Sequence, residues 1–181
     1  MDKIVEYMVR GVWQTDIKEK RKFELWNLAK ESKKDVDVSH KIGGLLIYNQ
    51  LIDEFLKDIV EYSINYIKAE IWPASFALKI DFSRKTFGQN IELFKQYATI
   101  EHNREILIKY LERFNKKRNQ VVHNIFVLED MQKLKEEMDE HFELAEEIVF
   151  LLVEYNNCIC EKFIDLSQRV DFKDFVDRNY V

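Results

Sequence analysis

The chain has 181 residues, of which 46% are hydrophobic and 34% charged, and its formal net charge is −5. That balance fits one globular domain with a charged extension and excludes intrinsic disorder, which needs fewer aromatic and aliphatic residues. The negative total argues against non-specific coating of nucleic acid but leaves room for a local basic site.

One proline and four glycines interrupt the whole sequence, and long periodic stretches lie between them, so the expected class is all-α. The expected organisation is a charged helical N-terminal extension over residues 1–40, then a bundle of four to five main helices over 41–181. The N-terminus lacks the apolar run and cleavage site of a signal peptide. No stretch reaches the roughly 18 apolar residues of a membrane helix. A cytoplasmic protein with no membrane partner is expected. Cys158 and Cys160, two apart in a predicted helix, point roughly 200° away from each other, too far for a disulfide, and read as packing thiols of a reducing compartment.

Residues 17–38 are helix-compatible and heavily charged. Phe23, Trp26 and Leu28 give them a thin apolar face, so the stretch reads as a surface helix or arm. Acidic residues dilute its lysines, which favours a solvated helix over a basic arm for RNA. The first strong helix spans about 44–71, with Leu45, Tyr48, Leu51, Ile52, Phe55, Ile59, Tyr62 and Ile67 on one side and Asp53, Glu54, Lys57, Asp58 and Glu61 on the other. Ile71-Trp72-Pro73 ends it, because the residue before proline is pushed out of helical geometry.

Phe76, Leu78, Ile80 and Phe82 then alternate with Ala77, Lys79 and Asp81. This is the period of an extended segment, and with no partner strand elsewhere it reads as an ordered loop. Thr86-Phe87-Gly88-Gln89 has the form of a capping box and opens a helix near 87–98. Thr99 is expected to cap the next helix, from about 101, which carries Ile106, Leu107, Tyr110, Leu111 and Phe114 inward. The longest run, about 130–166, repeats Met131, Leu134, Met138, Phe142, Ala145, Val149, Leu152, Tyr155, Ile159, Phe163 and Leu166. A face that continuous needs partner helices along its length. The tail 171–181 is expected to form a short packed helix or to fray.

The chemistry concentrates in Phe114-Asn115-Lys116-Lys117-Arg118-Asn119-Gln120-Val121-Val122-His123. Arg104, Lys109, Arg113, Lys116, Lys117 and Arg118 are opposed nearby only by Glu105 and Glu112, so an acidic protein gathers positive charge beside one histidine. Metal-free RNA cleavage needs proton transfer from the 2′-OH and to the leaving 5′-oxygen, and a cation for the charge on phosphorus. Histidine suits the first task, with a pKa of about 6.5, and the guanidinium fork suits the second. An amide such as Asn119 can hold either group. Asn119 and His123 share a helical face, whereas Arg118 and His123 stand about 140° apart on a continuous helix. One chain presents that pair awkwardly to a single phosphate. A two-fold dimer with the site at its interface resolves the geometry.

Arg118-Asn119-Gln120-Val121-Val122-His123 resembles the Arg-x(4–6)-His motif of the HEPN superfamily, in its Arg-Asn-x-x-x-His form. The helix with Leu46, Asn49, Leu51 and Glu54 and the Thr-Phe-Gly-Gln opening resemble the corresponding parts of such domains, so the likeness spans roughly residues 40–166. The resemblance implies a dimerising bundle of four or five helices with both motifs in a shared cleft. It implies a metal-independent endoribonuclease that needs no cofactor, leaves a cyclic phosphate and a 5′-hydroxyl, and serves in a toxin–antitoxin pair or phage defence. By the same resemblance Arg118 binds the scissile phosphate, His123 moves protons and Asn119 orients either one. Arg113, Lys116 and Lys117 supply RNA-binding charge, and Asn49 and Glu54 give support from behind, with Asp53 a near neighbour. One toxin branch places a tyrosine two residues after the histidine, where its antitoxin attaches nucleotides. Asn124 and Ile125 stand here instead, so an antitoxin or regulatory partner would act by another route.

Set against this, arginine and histidine near a helix C-terminus also interact favourably with its dipole without any substrate. A non-catalytic helical module that binds a partner protein or nucleotide is the alternative. His40, His102 and His141 read as isolated, with Glu137 and His141 as a surface pair rather than a metal site. The acidic run Glu136, Glu137, Asp139, Glu140, Glu143, Glu146 and Glu147 reads as the solvated side of the long helix, with RNA mimicry as the sharper alternative. Tyr48, Tyr62, Tyr66, Tyr97 and Tyr110 read mainly as core, with base stacking by one or two near the cleft as the alternative.

Overall fold

A computed structural model of the chain describes residues 16–74, 77–124, 131–169, 175, 177 and 178, and the side chains of all of these except 16–19, 121–124 and 131. The described residues form five long helices and no strand: α1 (Asp16–Lys33), α2 (Val38–Glu70), α3 (Phe87–Tyr97), α4 (Arg104–Asn124) and α5 (Met131–Ser167). The chain is an all-α bundle, as its periodicity predicts. None of these helices is long and apolar enough to cross a membrane.

Helix directions follow from the residues that meet. Lys22 pairs with Asp58 while Ser32 lies against Gly44, so α1 is antiparallel to α2. Lys41–Asp139, Tyr48–Phe142 and Tyr66–Phe163 keep a nearly constant offset, which makes α2 and α5 parallel. Asn103 reaches Glu154 while Phe114 stacks on His141, so α4 opposes α5. Lys95 meets Glu112 and Arg118 lies over Phe87, so α4 opposes α3 as well. Consequently α2, α3 and α5 point one way and α1 and α4 the other.

Because α2 and α3 are parallel, the connection between them must run back along the bundle. Asn90 of α3 bonds Asp53, and α2 continues from there to Glu70, so the return covers roughly 25 Å at 1.5 Å per helical residue. Segment 77–86 makes it in non-helical backbone, with Leu78, Ile80 and Phe82 half-buried and Ala77, Lys79 and Asp81 exposed. The alternation read from the sequence is therefore that of an ordered loop packed on the bundle.

Several local starts and faces differ from the sequence expectation. The helix placed at about 44–71 begins at Val38, capped by the Asp37 side chain, which accepts from the Ser39 amide at 2.7 Å, and it runs through Gly43-Gly44. Gly44 is required by packing: a Cβ there would stand 2.5 Å from Ser32 Cβ and 3.0 Å from the Phe142 ring, where α1, α2 and α5 meet. Thr99 caps nothing, since α4 starts at Arg104, after Asn103 in the left-handed region at φ 55°, a conformation that asparagine tolerates. Ile106, expected inside, is exposed.

Of the apolar face expected on α1, Trp26 packs against the core while Phe23 and Leu28 are exposed, and the helix also docks through Ala29 and the buried Lys22. Asp58, assigned to the polar side of α2, is buried beneath it and accepts from Lys22 at 2.6 Å, with the Lys22 ammonium also 4.4 Å from the Phe55 ring. The apolar stripe of α5 is as read: from Leu134 to Leu166 each named position whose side chain is described is buried. At the far end Ala69, Leu166 and Phe175 form a smaller cluster against Trp72. Phe175 gives the tail one packed anchor, and most of 171–181 lies outside the described residues.

Candidate functional site

The predicted site lies where α3 begins. The capping box of α3 is complete: Thr86 accepts from the Gln89 amide and the Gln89 side chain accepts from the Thr86 amide, which fixes Phe87 as the first helical residue. At that level Arg118 of α4 lies over Phe87, but α4 continues six residues further to Asn124, about 9 Å, and α2 extends back to Val38. The face of α2 that meets α3 through Asp53 continues at Gln50, Asn49 and Leu46, one and two turns beyond, where no α3 covers it. This accounts for the 59% exposure of Leu46. Among the described residues this leaves a step, or notch, at that end of the bundle, with the start of α3 at its base and α2 and the end of α4 running past it.

Arg118 is half-buried at this base, its guanidinium carbon 5.4 Å from the Phe87 ring centroid. Asn119, Lys116 and Arg113 are exposed, while Lys117 is engaged by the Glu140 carboxylate of α5. The Lys117 hydrogen bond, its charge and that of Arg113 hold the Glu140 carboxyl below its ordinary range. His123 lies in the last turn of α4 by its backbone, and its side chain is outside the described residues. Arg104, counted with the basic group in sequence, stands at the opposite end of α4 and donates to the carbonyls of Lys95 and Ala98, satisfying the end of α3.

Behind the base, Asn90 is fully buried and donates to Asp53 at 2.7 Å, and Lys57 bridges Asp53 (2.7 Å) and Glu54 (3.1 Å). Asp53, rather than Glu54, is thus the carboxylate that ties α2 to α3. The Glu54 contact stays within its own helix. Asn49 is half-buried, and its Oδ1 has no hydrogen-bond partner among the described residues; the same holds for Asn90 Oδ1.

His141 is the site residue that the sequence reading passes over. It is not on the surface with Glu137 but 1% exposed, stacked on Phe114 with ring centroids 4.4 Å apart and planes 14° from parallel. Its Nδ1 has no hydrogen-bond partner among the described residues. Burial, reinforced by the charges of Lys117 and Arg118, pushes the imidazole down to about 4, so it is neutral near pH 7. The signal was in the register: His141 stands three after Met138 and four before Ala145, on the apolar stripe itself. The other histidines lie apart, His40 exposed and bonded to Asp35 at 2.7 Å, His102 exposed beside Asn103. The acidic run is only partly solvated, because Asp139, Glu140 and Glu146 pair with Lys41, Lys117 and Lys33 and tie α5 to three neighbours.

Fold and site together define, among the described residues, an all-α bundle that carries Arg118 over the Phe87 ring at one end, with Arg113, Lys116 and Asn119 exposed nearby. No protein-family model, no curated protein and no solved structure matches the chain.

Proposed function

We propose that the chain is a HEPN-like, metal-independent endoribonuclease that cuts single-stranded or loop RNA as a homodimer, in a toxin–antitoxin or phage-defence setting. The observation that carries the reading is the Arg118 guanidinium. It lies half-buried over Phe87 at the start of α3, with no carboxylate bonded to it among the described residues, five residues before His123.

In this reading the RNA backbone enters the notch and its scissile phosphate meets Arg118, whose planar fork binds two phosphate oxygens and stabilises the extra negative charge as the phosphorus becomes five-coordinate. His123 takes the 2′-OH proton, the 2′-oxygen attacks phosphorus, and the P–O5′ bond breaks as the imidazolium hands that proton to the leaving 5′-oxygen, giving a 2′,3′-cyclic phosphate and a 5′-hydroxyl. Asn119, exposed and on the face of His123, orients the imidazole or the phosphate. Arg113 and Lys116 supply exposed charge along the approach, and Lys117 joins them when RNA displaces Glu140. In a dimer of two copies each site takes its guanidinium from one chain and its imidazole from the other, so that the two meet one phosphate.

The test is cleavage of single-stranded RNA by purified protein in excess chelator, alongside Arg118→Ala and His123→Ala. The expected result is chelator-resistant cutting that falls about a hundredfold or more in each variant. Undiminished cutting by His123→Ala sinks the mechanism. Absence of any cutting, with a partner protein co-purifying through the same notch, replaces it with a binding module.

A further inference from the structure

Arginine side chains that bind phosphate are commonly held in place by a carboxylate, which orients the guanidinium and also competes with the phosphate for it. Among the described residues no carboxylate bonds Arg118, and an aromatic ring lies beneath it instead. Its guanidinium carbon stands 5.4 Å from the Phe87 ring centroid, within the reach of a cation–π contact. Phe87 packs on Phe114 at 5.8 Å with planes tilted by 58°, and Phe114 stacks on His141 at 4.4 Å. Phe87 and Phe114 are buried and His141 is 1% exposed, so three successive rings from α3, α4 and α5 back a single charged group.

We infer that Phe87, braced by Phe114 and His141, is the positioning residue that aims the Arg118 guanidinium into the notch while leaving its charge free for a phosphate. This rests on the endoribonuclease reading of Arg118. A ring face attracts the guanidinium without neutralising it, and a ring locked by its neighbours restricts the rotamers of a long side chain that would otherwise sample many. Phe87 is suited to the task because the capping box of α3 fixes its backbone and because it is the last residue of α3 before the notch. The imidazole completes the stack without adding a third positive charge beside Lys117 and Arg118.

Two measurements separate this inference from the reading it rests on. The first is the Nε–Hε resonance of Arg118, identified by its loss in Arg118→Lys. The second is single-turnover RNA cleavage. Both are made on wild type, Phe87→Leu, Phe87→Met and Phe87→Tyr, and the aliphatic variant that melts nearer the wild type is used. Loss of the ring should move the Arg118 resonance and increase its mobility, and should lower the cleavage rate by about tenfold while RNA affinity stays within about threefold. Phe87→Tyr should restore both. An Arg118 resonance unmoved by the aliphatic variant overturns the stack, as does cleavage within about twofold of wild type. A moved resonance in a protein that cuts no RNA upholds the stack and removes the endoribonuclease reading.

Discussion

The buried imidazole of His141 links the core to the site through a single proton. Its folded-state value of about 4 lies below the ordinary 6.5, chiefly because burial penalises the charged form, with Lys117 and Arg118 of α4 adding repulsion. A depressed basic group binds its proton more readily in the unfolded chain between those two values. Its contribution to stability is therefore present above pH 6.5, is lost as the pH falls toward 4, and does not change further below that. The full span is worth about 3 kcal/mol at 1.36 kcal/mol per pH unit. Urea unfolding at pH 7 and pH 4.5 should show the wild type losing about 2 kcal/mol more than His141→Phe, which keeps the stack without the titrating group. The difference between the two proteins is the informative quantity, because carboxylates such as Glu140 and Glu70, both held below their ordinary range, titrate in each. Equal losses in the two would place the proton elsewhere. Residue identity made Arg118 legible in sequence, since an arginine in a basic run needs no fold to be noticed. His141 was harder to place: its register puts it on the apolar stripe, but nothing local shows which ring stands opposite.

Helix faces were legible wherever one apolar stripe dominates. The α5 stripe and the α3 capping box follow directly from residue spacing, because a 3.6-residue period and a Thr-x-x-Gln start are local properties. Charged flanks were not legible, because a carboxylate reads alike whether it meets water or a lysine on another helix. Asp58 shows the consequence. It is buried with Lys22, each side chain 8% exposed, and it fastens α1 across α2 near the outer end of α1. Asp58→Ala should destabilise the protein by about 3 kcal/mol, since it removes the carboxylate that a buried ammonium meets at 2.6 Å. The double variant Lys22→Met, Asp58→Leu should recover most of that loss, because matched apolar side chains of similar volume suit the same interface. Chemical denaturation measures both. A single variant as stable as wild type would show that water reaches the pair and that α1 is held by its other contacts, among them Ala29 and the Lys33–Glu146 pair.

At the scale of the whole molecule, periodicity identifies faces but not neighbours. The parallel course of α2 and α3, and the extended return between them, follow only from which residues meet. That topology shapes the candidate site: among the described residues α3 starts short of the ends of α2 and α4, which leaves the notch at that end. An open notch with Leu46 uncovered suits a second copy, and the roughly 140° between Arg118 and His123 on one helix suits a site shared between two copies. Sharing has a quantitative consequence. Arg118→Ala keeps its imidazole and His123→Ala keeps its guanidinium, so a dimer of one of each contains one intact shared site and one site lacking both groups. Random pairing makes half of all dimers mixed, and each mixed dimer has one working site of two. Unfolding the inactive variants together at equal amounts and refolding them should then recover about a quarter of wild-type cleavage. If each chain instead used its own arginine and histidine, every site in the mixture would lack one group and no activity would return. Recovery near zero from a mixture shown by mass to contain mixed dimers would assign the site to single chains, and a protein that stays monomeric at micromolar concentration would exclude sharing altogether.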